Sequence, residues 1–234
     1  MGAISTIKEP LRYLRMLASA RKIACLRSDV GFDALFDAVV ASRFPPIQNK
    51  QEIVACCDVV LSRRPKVVCE IGSASGGTLY LFSRCAAEDA KIFSIDLNFT
   101  LSKRYGFKSL LLSTQKPHFL PGDSHSPAMA SRVKALANGA QIDFLFIDGD
   151  HSYEGATADY ELFSPMVAAD GLIGFHDIIP DYLERYGKRA NADSGGVPTL
   201  WAEIKARHPN ATTEFVCDYA QDGFGIGLLD RRLT

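Results

Sequence analysis

The residues best suited to chemistry in this 234-residue chain lie in the stretch FLFIDGDHSYEG, Phe144 to Gly155. An apolar run stops there at Asp148, and Asp150 and His151 follow. Three readings fit: a strand end that happens to be polar, a metal site, or a general base with supporting carboxylates. A second tip of the same kind, His176-Asp177, closes the run GLIGFHD. If the two strands are neighbours, their backbones lie about 4.8 Å apart, and the Asp148 and Asp177 carboxylates can reach one ion. Hard oxygen ligands favour Mg²⁺ or a similar ion. The imidazole of His151, with an ordinary pKa near 6.5, suits proton removal near neutrality, and Asp150 and Glu154 are close enough in sequence to orient it.

A second group of small and acidic residues, CEIGSASGGT, follows a strand-like run and precedes a helical one. Small residues there let a ligand approach the backbone, and a helix N-terminus offers unpaired N–H groups. A phosphate-binding loop needs Gly-Lys-Ser/Thr, but Gly77 is followed directly by Thr78. A nucleophile elbow needs serine where Ala74 stands. The spacing of Gly72, Gly76 and Gly77 does not fit the dinucleotide fingerprint. What remains is Glu70, the loop Gly72-Ser73-Ala74, and Asp96 at the end of the next strand. A carboxylate at that place can accept hydrogen bonds from both hydroxyls of a ribose.

These groups must be positioned by a regular alternation of elements. KVVCEIG, KIFSIDL, HFLPGDS, IDFLFID and GLIGFHD read as five buried strands. TLYLFSRCAA, a helix within 99–116 containing Leu110, Leu111 and Leu112, SPAMASRVKAL and SYEGATADYELFSPMV read as the helices between them. That is a doubly wound α/β sheet with helices on both faces, a Rossmann-like plan. TTEFVCD and FGIGLLD add a C-terminal hairpin with a short link, making seven strands, mostly parallel with one antiparallel. In such sheets ligands bind beyond the carboxyl ends of the strands, where all the acidic tips lie. The expected domains are an N-terminal helical extension over 1–47 and a catalytic domain over 48–234. Phe32, Leu35, Phe36, Val39 and Val40 mark one helical face in the extension, and Ile53, Val54, Cys57, Val60 and Leu61 mark another just after it. The polar segment from Pro180 to Pro198 reads as a substrate lid or a surface loop.

Composition narrows the class. A net charge of −1 gives no support for a nucleic-acid partner. No apolar run is long enough to span a bilayer, and the start has no long apolar h-region. The six cysteines include no CxxC pair, as expected of free thiols in a reducing cytoplasm. The opening Met-Gly-x-x-x-Thr fits an acylation pattern. The basic residues Lys8, Arg12, Arg15, Arg21, Lys22 and Arg27 read as a solvated, partly helical arm or a homo-oligomer contact, with peripheral membrane association as the sharper alternative. His118, His125 and His208 have no constellation; Tyr153 and Trp201 read as packing residues.

The segment EIGSASGG resembles the first motif of the class I S-adenosylmethionine-dependent methyltransferases, with Ala74 in the middle glycine place. The stretch FIDGDHSYEGATADYELFSPMVAADGLIGFHDI resembles their small-molecule O-methyltransferase branch, which includes macrolide-sugar O-methyltransferases and cephalosporin hydroxylase-like proteins; GGVPTLWAEIK resembles a further segment of it. The resemblance covers about residues 48 to 230. It implies a cofactor, S-adenosylmethionine, held by Glu70, Gly72, Ser73, Ala74, Gly76 and Gly77, with Asp96 and Leu97 at the ribose, Asp123 and Ser124 by the adenine, and Asp148 beside it. It implies a metal set of Asp148 with the pair at 176–177. Here that pair is His176-Asp177, so the ion is Mg²⁺ or, with an imidazole ligand, Mn²⁺; a metal-free enzyme using histidine alone stays open. It also implies that His151 is the general base. The expected activity is methyl transfer to a hydroxyl of a small acceptor, a sugar or natural-product glycoside. A nucleotide-dependent oxidoreductase and a non-catalytic cofactor-binding protein are the alternatives on the same sheet.

Overall fold

The computed structural model describes residues 3–234, with side chains from Leu14 onward. Met1 and Gly2, on which the acylation pattern rests, and the side chains of Lys8 and Arg12 lie outside the described residues. Seven strands form one sheet: β1 (Val67–Ile71), β2 (Lys91–Asp96), β3 (Lys116–Pro121), β4 (Ile142–Ile147), β5 (Val167–His176), β6 (Thr212–Phe215) and β7 (Ile226–Asp230). Their order is β3-β2-β1-β4-β5-β7-β6. The first five are parallel, and β7 runs antiparallel to both β5 and β6. The order in which strands are added reverses between β1 and β4, so the crevice of the sheet opens above those two strands.

Alternate strand residues face opposite layers. On one face, Val68, Phe144 and Phe146 pack with Leu35, Ile53, Leu79 and Phe82, contributed by α2 (Phe32–Val40), α3 (Lys50–Arg63) and α4 (Gly77–Cys85). On the other, Cys69, Leu145 and Ile173 pack with Val133, Phe163 and Trp201 from α6 (Pro127–Ala137), α7 (Tyr153–Phe163) and α9 (Val197–Arg207). Helix starts follow local chemistry. Asn49 caps α3 through the Gln51 N–H, and Ser152 caps α7 through the Gly155 N–H. Pro127 opens α6, where its missing N–H costs nothing.

Several expectations shift. The helix α5 (Leu101–Leu110) stops before Leu111. Leu111 is extended, and the Gln115 side-chain Oε1 takes the Leu112 N–H in a separate turn. Val40 is exposed, because the buried stripe of α2 ends at Val39. The end of α1 (Ala3–Ala24) is not a solvated arm: Ala20 and Ile23 are buried, the Tyr80 hydroxyl donates to the Ile23 carbonyl, and the buried Arg84 guanidinium donates to those of Ala24, Leu26 and Leu110. Four cysteines are buried, but Cys25 and Cys217 are exposed. The 180–198 segment carries a helix, α8 (Tyr182–Tyr186). Asp181 caps it and also takes the Ser194 N–H; Asp222 takes those of Tyr182 and Asn191.

The link between β6 and β7 is long rather than short, running over 216–225. One buried carboxylate holds it. Glu52 on α3 accepts from the Cys217 N–H, the Gln221 amide and the Gly225 N–H at 2.8–3.0 Å. Glu52→Ala would strand these donors, so a loss of about 3 kcal/mol of unfolding free energy is expected. Urea titration reads this as a lower midpoint at unchanged slope. A loss under about 0.5 kcal/mol would mean that the loop is held by something else.

Candidate active site

The loop after β1 is shaped first by the chain itself. Gly72 has φ 83°, and a Cβ there would run into the Asp148 carbonyl. Gly76, at φ 89°, is crossed by the Phe107 ring, and Gly77 lies under the Phe44–Pro46 backbone. Ala74 adopts a left-handed φ of 36° where a glycine would be unstrained. The Ser73 N–H donates to Asp96 Oδ2 at 3.2 Å, and its hydroxyl pairs with that of Ser94. Glu70 is fully buried beneath the loop with neither carboxylate oxygen hydrogen-bonded. Burial, aided by the charges of Asp148 and Asp96, pushes its pKa up to about 8.

Above the strand ends lies a cavity of about 640 Å³. Gly72, Ala74, Asp96, Leu97, Asp123, Ser124 and Asp148 all line it. Glu70, Ser73, Gly76 and Gly77 lie buried behind that lining. Asp96 Oδ2 already takes the Lys103 ammonium at 2.7 Å, and Oδ1 takes the Asn98 N–H at 2.7 Å. A carboxylate has about four lone-pair positions, so room for a hydroxyl donor remains on Oδ1. His125, unassigned from sequence, joins the far wall with its Nε2 3.7 Å from the buried Asp159 carboxylate.

At the near end, ligand-capable atoms of Asp148, His151 and Asp177 lie within 4.8 Å of one another. The parallel register Ile147↔Phe175 brings the two tips together. His151 Nε2 is 3.7 Å from Asp148 Oδ1 and 3.6 Å from Asp177 Oδ2. Its other nitrogen, Nδ1, is hydrogen-bonded to the Asp193 carbonyl, and the Gly196 N–H donates to the His151 carbonyl at 2.7 Å. An Nδ1–H given to a carbonyl leaves Nε2 as the lone-pair nitrogen of the neutral ring. Asp177 sits at a left-handed φ of 59°, with Oδ1 accepting from the Phe224 N–H at 3.1 Å.

His176 sits differently from the expected ligand. It is buried, and its Nδ1 lies 3.2 Å from Asp148 Oδ1 and 2.9 Å from Asp177 Oδ2, while Nε2 is buried without a partner. Burial alone would lower its pKa, but the Asp148 and Asp177 carboxylates overcome that and hold it near about 10. His176 is therefore the counter-charge of the two acids. The Asp148 hydrogen bond, against burial and with Asp177 adding, lifts His151 to about 9. Burial works against the Asp148 anion, yet the two imidazoles hold its pKa below the ordinary value. Asp150 does not orient His151: its Oδ1 takes the Ser152 N–H at 2.8 Å, ahead of the α7 cap.

Sequence reading missed three participants. Asp193 acts through its backbone carbonyl, which no side-chain pattern reveals. Glu52 looks like an ordinary helical charge. Gln48 donates from Nε2 to Asp148 Oδ2 at 2.8 Å and accepts from the Thr78 hydroxyl. Only its nearness to Pro45-Pro46, a break before a helix, offered any signal.

Glu70 and His176 hold protons when folded that the unfolded chain releases. Each contribution is complete below the ordinary pKa and is lost as pH rises through the raised one. In the ligand-free protein, stability should therefore fall between about pH 5 and about pH 10 through these two groups. Urea midpoints across that interval test this, and Glu70→Gln should flatten the part below about pH 8. A slope unchanged in Glu70→Gln would overturn the Glu70 assignment.

Residues 69–178, from β1 to just past β5, match a family described as a methyltransferase domain. Over 106 residues, 43% of this chain, the sequence is 31% identical to an uncharacterised protein of Acanthamoeba polyphaga mimivirus. The match spans about half (47%) of that curated relative's length. Among solved structures, an O-methyltransferase from Bacillus cereus in complex with S-adenosylhomocysteine has a TM-score of 0.58 at 12% identity, covering 88% of this chain and 93% of that one. The O-methyltransferase TomG from Streptomyces achromogenes, involved in tomaymycin synthesis and solved with S-adenosylmethionine, has a TM-score of 0.54 at 14% identity, covering 79% and 82%. At such identities the structural likeness speaks for the fold, and the family match describes residues 69–178, which carry this loop and these strand ends, as similar to a methyltransferase domain.

Proposed function

We propose that the chain methylates a hydroxyl of a small acceptor, a sugar or natural-product glycoside, assisted by a divalent ion, Mg²⁺ or Mn²⁺. The observation that carries this is the cluster of Asp148, His151 and Asp177 within 4.8 Å, on the edge of the cavity lined by Gly72, Ala74 and Asp96. Two carboxylates and an imidazole suit either ion. The orphaned oxygens of buried Glu70 fit an ammonium-bearing ligand on the loop above. When bound, S-adenosylmethionine supplies an electrophilic sulfonium methyl and the ion lowers the pKa of a coordinated hydroxyl.

The protein's own residues do the rest. The loop of Gly72, Ser73 and Ala74, with Glu70 below it, holds the amino-acid end of the cofactor. Asp96 takes the ribose hydroxyls beside Leu97, and Asp123 and Ser124 flank the adenine. Asp148 and Asp177 hold the ion, and His151 Nε2 completes the set. His176 keeps both carboxylates charged and fixed. The 180–198 segment, anchored by Asp181 and Asp222, closes over the acceptor and fixes the His151 ring through Asp193. A second reading makes His151 the base that takes the acceptor proton; it is favoured by a side chain 29% exposed beside Asp148, which lines the cavity. A cytoplasmic setting is part of this proposal and is supported by the six free cysteines; among the described residues no helix is long and apolar enough to cross a membrane.

Calorimetry with S-adenosylmethionine and with NAD, each with and without Mg²⁺, tests the class: binding of NAD alone would sink the proposal. Asp177→Asn is expected to weaken Mn²⁺ binding by about 10- to 100-fold. His151→Ala separates the two roles. As a ligand it loses Mn²⁺ affinity; as a base it keeps the ion and loses about 10²- to 10⁴-fold in turnover.

A further inference from the structure

Gln48 touches both halves of the site and belongs to neither. It lies between α2 and α3, on the segment that roofs Gly77, and the residue is 7% exposed. Its carbonyl oxygen accepts from the Thr78 hydroxyl, in the first turn of α4 directly behind the glycine loop. Its amide donates to Asp148 Oδ2 at 2.8 Å. The other Asp148 oxygen, Oδ1, faces His151 and His176. Among the described residues, one neutral amide thus ties the cofactor loop to the cation cluster.

Such a bridge is disturbed from either end. Thr78 is buried and the start of α4 is covered by the Phe44–Pro46 backbone, so a carboxylate-bearing ligand that reaches the N–H groups of this terminus must displace that cover and compete with Gln48 for the Thr78 hydroxyl. A cation on Asp148 draws charge from Oδ2 and makes it a poorer acceptor for the amide. Whichever ligand arrives first breaks the bridge, and the second no longer bears that cost. Coupling of this kind is positive and reciprocal.

Resting on the functional reading above, we propose that Gln48 is a positioning residue that makes cofactor and divalent-cation binding mutually reinforcing. The test measures free Mn²⁺ by electron paramagnetic resonance while the ion is titrated into the full chain, with and without saturating S-adenosylhomocysteine. In the native protein, S-adenosylhomocysteine is expected to tighten Mn²⁺ by about 5-fold or more, and calorimetry should find Mn²⁺ tightening S-adenosylhomocysteine by the same factor. In Gln48→Met, similar in size but unable to bridge, each ligand alone should bind at least as well, and the ratio should fall to about one. Thr78→Val breaks the same link from the other end and should do likewise; it carries the test if Gln48→Met does not fold. Variants that weaken each ligand but keep the native ratio would show a merely structural role and overturn the coupling. So would native protein that binds both ligands independently. Failure of the native protein to bind either ligand would overturn the functional reading, and the coupling with it.

Discussion

The site depends on one carboxylate, that of Asp148, and on the strand pairing that places it. The parallel ladder of β1 and β4 ends with the Asp148 N–H on the Ile71 carbonyl at 2.9 Å. The Asp148 carbonyl then lies where a Gly72 side chain would be. The same residue therefore sets the shape of the loop after β1 with its backbone and anchors the cluster of His151, His176 and Asp177 with its side chain. Its two oxygens are divided: one meets the imidazoles of His151 and His176, the other the amide of Gln48. Few alternative placements of the strand end would satisfy all four contacts together.

Electrostatics around this carboxylate follow from burial. Asp148 and Asp177 approach each other through His151 and His176, and the buried His176 stays protonated because two acids share it. Glu70, with no such partner, stays protonated for the opposite reason: ionising it would leave an unpaired charge in a dry interior. Two neighbouring acids thus reach opposite protonation states from their surroundings alone. A cation among the carboxylates would replace part of the charge that the imidazoles now provide, which frees His151 for work at neutral pH.

The outer shell is supplied by segments far away in sequence. Glu52 holds the link between β6 and β7, which carries Phe224 to the Asp177 carboxylate. Asp181 holds the segment that carries Asp193 to the His151 ring. The left-handed backbone at Asp177 is held by the Phe224 N–H on its carboxylate.

Much of this was legible in the chain. Short continuous apolar runs and period-3.6 stripes are local, so the strands, the helices and their alternation follow from short windows, and alternation implies a parallel sheet with acidic tips at one edge. The loop Gly72 to Gly77 and the tips at Asp96, Asp123, Asp148 and Asp177 were visible for the same reason. The ends of elements were less so: α5 stops at Leu110, and the buried Gln115 side chain, three residues past the leucine run, holds the Leu112 N–H in the next turn. Tertiary structure alone decided that His151 joins the carboxylates, that His176 serves as their counter-charge, and that Asp150 serves the helix. It alone brought Gln48, Glu52 and Asp193 to the site. Sequence records which groups are available, whereas distances of a few ångströms between groups up to 173 positions apart, as in Glu52 and Gly225, arise only when the sheet has closed and the layers have packed.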